Sequence, residues 1–156
     1  MRKIRRKYKT PIKGWDKERI ERERTLVKTY GLRKKREIWR SETVSRKFRR
    51  LARALAAQTD KEKEKVLVEK LIKLGLLNEG STLDDVLSLS TEKFLERRLQ
   101  TILVRKGICT TPKQSRQMIV HGHVRIDGKR IVYPGYLVQK AEEDKIQTSI
   151  QKKVAA

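Results

Sequence analysis

The sequence predicts an α+β protein with a mostly helical, basic N-terminal region and a small C-terminal module of two helices on a short, mainly antiparallel sheet. Apolar residues recur at helical spacing between Val44 and Leu55. Two shorter helical patterns end at Gly107 and near Val120, and Asp127-Gly128 then separates alternating apolar residues, which is a hairpin signal. We expect a helical region over residues 1–90, the module over 91–151 and a tail over 152–156.

The charge of the chain is strongly one-sided. It contains 41 Lys+Arg against 19 Asp+Glu, a formal net charge of +22. A compact state of this charge repels itself, and polyanions are the partners that relieve the repulsion. The positive charge is densest in residues 1–60, so we expect the stronger nucleic-acid contact there.

Composition also argues against several classes of protein. Cys109 is the only cysteine, which excludes an intrachain disulfide and a zinc site with two or more thiolates. No apolar run approaches the ~20 residues that a membrane span needs. We expect a soluble, intracellular protein that contacts no membrane and needs no cofactor, metal or small-molecule substrate.

The N-terminal region begins with a predicted extended basic arm over residues 1–15. Its aromatic residues, Tyr8 and Trp15, could either stack on bases or pack against the domain. Asp16 is a suitable N-cap for a helix that reaches about Tyr30, and Gly31 is a suitable stop. This helix has a thin apolar face, so it must pack against protein or nucleic acid to be stable.

A second helix is predicted from Ser41 to about Ala57, with an apolar stripe and an opposite face rich in arginine. Like charges at helical spacing repel each other unless phosphates neutralise them. A merely solvated face would contain more acids, so we favour nucleic-acid contact. The stripe consists of Val44, Phe48, Leu51 and Leu55. The predicted contact residues of the N-terminal region are Arg33, Lys34, Lys35, Arg36, Arg40, Arg46, Arg49, Arg50 and Arg53.

Residues 61–90 carry balanced charges and look structural. The alternating segment KEKEK is either the start of a helix or a short linker, and Gly75 ends the helix that follows. Thr82 and Asp85 have the spacing of a capping box and predict one further short helix.

The module is predicted to start with one helix from Thr91 to Gly107, in which Leu95, Leu99 and Ile102 share a face. Thr111 is a good N-cap for a second helix to about Val120, with Pro112 in its first turn. A strand, a return strand from Ile131 and a last strand of Ile146, Thr148 and Ile150 follow. The predicted contact residues of the module are Arg97, Arg98, Arg105, Lys106, Lys113, Gln114, Arg116, Gln117, His121, His123 and Arg125.

Some of these residues have other possible roles. Arg97 or Arg98 could simply pair with Glu92 or Glu96, and Gln117 could bind backbone groups. The two histidines have a spacing that metal ligands sometimes show, but no third ligand is nearby in the sequence. Hydrogen bonding to nucleic acid or backbone therefore explains them better.

The stretch Phe94–Val138 contains a series of short motifs, which are Arg98-Leu99, Arg116-Gln117-Met118-Ile119, Gly122-His123-Val124, Asp127-Gly128 and Pro134-Gly135-Tyr136. In this order and spacing they resemble the S4-type RNA-binding module. The segments YGLRKKREIWR and FLERRLQT extend the resemblance to the archaeal and eukaryotic branch of the small-subunit ribosomal protein S4 family. Thr111-Pro112 stand where many such modules have Ser-Arg, so one phosphate contact is absent or passed to Lys113.

The resemblance implies a structural protein of the small ribosomal subunit, in the cytoplasm, that binds 16S-type rRNA directly. It further implies a role in early subunit assembly and in translational accuracy near the path by which mRNA enters, with neighbouring small-subunit proteins and mRNA as partners. The alternatives are a free-standing RNA chaperone or stress factor, and an RNA-modifying enzyme. Residues 1–90 leave little room for a catalytic domain and contain no Cys/His pair and no phosphate-binding Gly-rich loop, so we do not expect an enzyme.

Overall fold

The computed structural model describes residues 7–58 and 60–149, and it confirms the α+β class. A three-stranded antiparallel sheet has the strand order β2-β1-β3. The start of the predicted arm, Ile150 of the predicted last strand and the tail lie outside the described residues. The elements are α1 (Lys17–Thr29), α2 (Arg36–Gln58), α3 (Lys61–Lys73), α4 (Leu83–Leu87), α5 (Thr91–Glu96), α6 (Leu99–Arg105), α7 (Pro112–Val120), β1 (Val124–Ile126), β2 (Lys129–Arg130), α8 (Lys140–Glu143) and β3 (Ile146–Thr148). Among the described helices, none has the length and apolar character needed to cross a membrane.

Helix α1 has the predicted boundaries. The Asp16 side chain accepts a hydrogen bond from the backbone N–H of Arg19 at 3.3 Å, and Gly31 ends the helix region with φ +57°. Of the two aromatic residues before α1, Tyr8 packs on Trp39 with ring centroids 5.9 Å apart, whereas Trp15 is 97% exposed.

A buried carboxylate, in addition to the thin apolar face, holds α1 against the rest of the protein. Glu23 accepts hydrogen bonds from the Trp39 indole and the Arg19 guanidinium, both at 2.9 Å, and the Lys35 ammonium lies 3.0 Å from its other oxygen. Burial raises the pKa of Glu23, but these donors outweigh burial, so the pKa is lower than usual. This cluster attaches α1 to the start of α2.

Helix α2 buries a stripe that differs from the predicted one. Leu51, predicted to be in the core, is 37% exposed, while Ser45 and Ala52 are buried at 0% and 1%. The Ser45 hydroxyl donates to the Leu89 carbonyl at 3.1 Å. Since small side chains let neighbouring backbone come close, the helix presents Ser45 and Ala52 to the chain around α4, and this turns Leu51 outward.

Helices α2, α3, α4 and the start of α5 enclose the central apolar cluster. The segment KEKEK is the start of α3, and the helix is followed by Gly75 with φ +69°. The Asp85 carboxylate accepts from the backbone N–H of Thr82 at 2.8 Å, as expected for the predicted cap of α4. The buried residues of this cluster are Ala52, Leu67, Leu71, Leu76, Leu77, Val86, Leu89 and Phe94.

The single helix predicted over Thr91–Gly107 is wrong, because the chain breaks it into α5 and α6. At Arg98 the backbone is extended, with φ −70° and ψ 142°, and it forms an antiparallel bridge with Leu137. The Leu99 N–H donates to the Tyr136 carbonyl at 2.8 Å. Pairing with a segment about 40 residues later thus replaces the helical hydrogen bonds at this point.

Because the helix is interrupted between α5 and α6, residues close in sequence pack in three different apolar clusters. Phe94 belongs to the central cluster, Leu95 packs with Leu26, Leu32 and Ile38, and Leu99 lies in the module core. The predicted common face of Leu95 and Leu99 is therefore wrong. The buried residues of the module core are Leu99, Ile102, Leu103, Cys109, Met118, Ile119, Val124, Ile126 and Val138.

The hairpin of the module has the predicted turn. Asp127 and Gly128 have φ values of +51° and +76°, the positive pair that a type I′ turn requires. The return strand begins at Lys129, before the predicted Ile131, because a two-residue turn pairs the flanking residues at once. β3 pairs with the other edge of β1, and the short helix α8 before it was not predicted.

Candidate nucleic-acid interface

The basic segment Arg33–Arg36 leads directly into α2, which begins at Arg36 and not at the predicted Ser41. Four arginines of α2 are exposed and lie in no ion pair with any described residue: Arg36, Arg40, Arg50 and Arg53. Arg33 and Lys34 are exposed as well. This unneutralised side of α2 shares Arg50 and Arg53 with the predicted basic face and adds Arg36 and Arg40, and we call it the α2 surface.

Three of the predicted N-terminal contact residues either form ion pairs within the protein or are half-buried. Lys35 pairs with Glu23, and Arg46 pairs with Glu42 one turn earlier on α2. Arg49 is half-buried, and its Nε is buried without a hydrogen-bond partner. These side chains are less available to a ligand than the sequence pattern indicates.

Glu37 connects α2 to the module. Its Oε2 accepts from Arg98 at 2.5 Å and from Arg116 at 3.1 Å. Burial raises the pKa of Glu37, but the two guanidinium groups outweigh burial and lower the pKa to about 2. Two predicted contact residues thereby form ion pairs within the protein and fix the module relative to α2.

Arg97 and Arg98 do not form the alternative pairs with Glu92 or Glu96. Both side chains are buried, at 8% and 5% exposure. Arg97 instead donates to Glu143 at 2.7 Å. Because both guanidinium groups are buried and paired with carboxylates, we leave both arginines out of the proposed interface.

Arg105 and Lys106 lie beside acidic residues. Arg105 is 3.5 Å from Glu96, and Lys106 approaches Asp144 at 3.4 Å and donates to the Glu143 carbonyl. Carboxylates of this kind repel phosphate, so this end of α6 is less suited to nucleic acid than the α2 surface.

On α7, Lys113 and Gln117 are exposed, as predicted for contact residues. Gln114 has a capping role instead, because its side-chain oxygen accepts from the backbone N–H of Thr110 at 3.1 Å and from its hydroxyl at 2.9 Å. The Thr111 hydroxyl accepts from the Gln114 N–H at 3.3 Å and caps the helix as predicted.

The rings of His121 and His123 stack, with centroids 6.3 Å apart and planes 6° apart. His123 Nδ1 lies 3.3 Å from the Ser149 hydroxyl. Within residues 7–58 and 60–149, no group of three or more His, Cys, Asp and Glu side chains could hold a metal ion. The geometry is that of a stacked pair in which the His123 ring also hydrogen-bonds to Ser149.

The hairpin contributes one arginine that the sequence reasoning missed. Arg130 lies directly opposite Arg125 in the β1–β2 register, and both are exposed. Like charges at opposed positions destabilise a hairpin. Arg130 also donates to the His121 carbonyl at 3.1 Å and covers Gly122, where a Cβ would meet its Nε at 1.9 Å. Because the two-residue turn at Asp127-Gly128 fixes this register, the opposition of Arg125 and Arg130 could have been predicted from the sequence.

The N-terminal and module residues meet at one cleft of about 600 Å³ between the start of α2 and the loop after β2. Glu37, Arg98 and Arg116 line it together with three exposed cations, Lys34, Arg36 and Arg40. Its lining residues are Lys34, Arg36, Glu37, Arg40, Ser41, Val44, Phe94, Arg98, Arg116, Tyr133, Pro134, Gly135, Tyr136 and Leu137. We call it the α2–module cleft.

The chain is similar to known proteins both in its C-terminal part and over nearly its whole length. Residues 97–146 match the S4 domain. The chain is 50% identical over 149 residues to the small ribosomal subunit protein uS4 of Korarchaeum cryptofilum, covering 94% of this chain and 90% of that protein. It is 48% identical to uS4 of Methanothermobacter thermautotrophicus, covering 93% and 86%, and 52% identical to uS4 of Hyperthermus butylicus, covering 92% and 83%. Identity of this level across nearly the whole chain shows that it belongs to the uS4 family of small ribosomal subunit proteins.

Proposed function

We propose that the protein, as a structural component of the small ribosomal subunit, binds 16S-type rRNA directly through two surfaces. One is the α2 surface, and the other comprises the exposed face of α7 with the hairpin. The observation that carries the proposal is that cations on both surfaces are exposed and unpaired among the described residues, while the Glu37 ion pairs hold the surfaces together.

The physical basis is neutralisation of phosphates. Each Lys or Arg that meets a phosphate releases condensed counterions, so binding weakens as salt increases. The like-charged pair Arg125 and Arg130 costs stability in the free protein, and a phosphate between the two would convert that repulsion into attraction. Since A-form RNA hides its major groove from side chains, we expect recognition of helix shape and sugar hydroxyls.

Family membership also supports the wider role. The uS4 relatives are ribosomal proteins, so the chain acts as a structural constituent and not as an enzyme. We further propose that it acts early in subunit assembly, contacts neighbouring small-subunit proteins, and influences translational accuracy near the path by which mRNA enters.

The test compares two double variants of equal charge. Arg50→Ala with Arg53→Ala removes two cations from the α2 surface, and Lys61→Ala with Lys65→Ala removes two exposed cations from α3. The first should weaken binding to small-subunit rRNA and make the log–log salt slope shallower by roughly 1.5 units, because each phosphate contact contributes ~0.7–0.9. The α3 variant should keep both the rRNA affinity and the salt slope of the wild type. Equal slopes in the two variants would mean that the α2 surface is merely solvated.

Sedimentation of cell extract at moderate salt separates the ribosomal role from a free-standing RNA chaperone. We expect the protein in the small-subunit fraction. If it remains at the top of the gradient while still binding purified rRNA, the chaperone hypothesis replaces the ribosomal one.

A further inference from the structure

The α2–module cleft has an apolar floor. Val44 on α2, Phe94 on α5 and Leu137 in the loop before α8 line it, and Phe94 is 1% exposed. A volume of about 600 Å³ lies within the range of pockets that hold small ligands. The cleft is therefore a concave, partly apolar site inside the region that we propose faces rRNA.

The lining of the α2–module cleft includes an exposed aromatic side chain. Tyr133 lines the cleft and is 72% exposed, which makes it one of the most exposed large apolar side chains among the described residues. The turn after it is closed by the Tyr136 N–H, which donates to the Tyr133 carbonyl at 3.1 Å. A backbone fixed in this way presents the ring at low entropic cost to a partner.

The charges of the cleft favour an anionic partner. Lys34, Arg36 and Arg40 line it, are exposed and lie in no ion pair with any described residue. Its carboxylate, Glu37, is already neutralised by two guanidinium groups. The lining thus combines free positive charge with apolar and aromatic surface.

We propose that the cleft holds the base of one unpaired rRNA nucleotide, with Tyr133 stacking on the base and Lys34, Arg36 and Arg40 binding the flanking phosphates. This inference rests on the proposed rRNA binding. Unstacked bases are the parts of RNA that proteins recognise by stacking on aromatic side chains. An apolar peptide of a neighbouring protein would fill the floor but would leave the three cations without partners.

The first experiment measures rRNA affinity for Tyr133→Ala and Tyr133→Phe. Loss of the ring should weaken binding to small-subunit rRNA by about 5-fold or more, since stacking on an aromatic residue is worth at least that factor per base. The salt slope should not change, because no charge is removed. Tyr133→Phe should bind as the wild type does. Val66→Ala, at an exposed apolar residue of α3 outside the cleft and outside both proposed surfaces, is the matched control.

The second experiment maps reactive bases of the same rRNA by chemical probing. The wild-type protein should protect at least one unpaired base that Tyr133→Ala leaves reactive, while protection of helical regions persists. Unfolding curves of the variants establish that each is folded. Cross-linking from p-benzoylphenylalanine at position 133 in the assembled subunit should reach RNA, and a cross-link to a protein would assign the cleft to a peptide and overturn the proposal.

The outcomes separate the two proposals. If Tyr133→Ala binds normally while Arg50→Ala with Arg53→Ala binds weakly, rRNA binding stands and the base site is refuted. If neither change affects binding, the proposed function and the base site both fail.

Discussion

Replacing Glu37 with Gln should destabilise the folded protein, because it removes the charge that binds two guanidinium groups between α2 and the module. Arg98 has a side-chain exposure of 6% and Arg116 one of 25%. The neutral Gln side chain keeps the shape of Glu37 but leaves the buried Arg98 charge without a counterion. Leaving a buried ion without its partner is among the costly changes in protein interiors.

The magnitude follows from the pKa of Glu37. A fall from the usual 4.5 to about 2 corresponds to about 3 kcal/mol of folding free energy. Removal of one member of a buried pair costs ~3–5 kcal/mol. Because Glu37 retains a side-chain exposure of 17%, we expect the lower end, about 3 kcal/mol, at neutral pH.

The same reasoning predicts a pH dependence. The folded-state pKa of Glu37 is lower than the unfolded one, so its stabilisation is complete above pH 4.5 and disappears as the pH falls towards about 2. The difference between the wild type and Glu37→Gln should therefore shrink across this window. Urea unfolding followed by circular dichroism at pH 7 and at pH 2.5 measures this difference in the free energy of unfolding.

The matched control is Glu42→Gln, on the same helix. Glu42 pairs with Arg46 in an exposed, i,i+4 arrangement, with side-chain exposures of 36% and 54%. Exposed pairs of this kind contribute roughly 0–1 kcal/mol. If Glu37→Gln costs no more than Glu42→Gln at pH 7, Glu37 does not hold α2 and the module together.

Two further predictions concern the hairpin and the tryptophans. Gly128→Val should destabilise the module by about 1–2 kcal/mol in thermal unfolding, through backbone strain at φ +76° alone, since nothing lies within 4 Å of an added Cβ. Gly128→Asn should cost less, because Asn tolerates this conformation, and equal costs would contradict a type I′ turn. Acrylamide should quench the fluorescence of the exposed Trp15 far more than that of Trp39, whose indole donates to the buried Glu23. In Trp15→Phe, Trp39 is the only remaining fluorescent tryptophan, so quenching should fall. Quenching equal to that of the wild type would contradict the exposure of Trp15.

The local elements were largely predictable from the sequence. The cap at Asp16, the cap at Thr111 and the turn at Asp127-Gly128 depend on groups within three residues of each other, and all three are confirmed. The resemblance in Phe94–Val138 likewise pointed to the family that the comparisons show. The division at residues 90 and 91 stays a prediction.

Long-range contacts decided which predicted contact residues remain free. Arg97 and Arg98 have the sequence pattern of exposed helical cations, but their acids, Glu143 and Glu37, lie 46 and 61 residues away. The extended backbone at Arg98 likewise depends on pairing with Leu137. Helical spacing carries no information about such distant partners.

By itself, the sequence determined the excess positive charge, the local caps and turns, and the family to which the chain belongs. Only the tertiary structure decided that Glu37 draws two of the predicted RNA contacts into an internal bridge and that α2 and the module enclose a cleft. The physical reason is that charge and periodicity are properties of a segment, whereas desolvation and ion pairing depend on which segments meet.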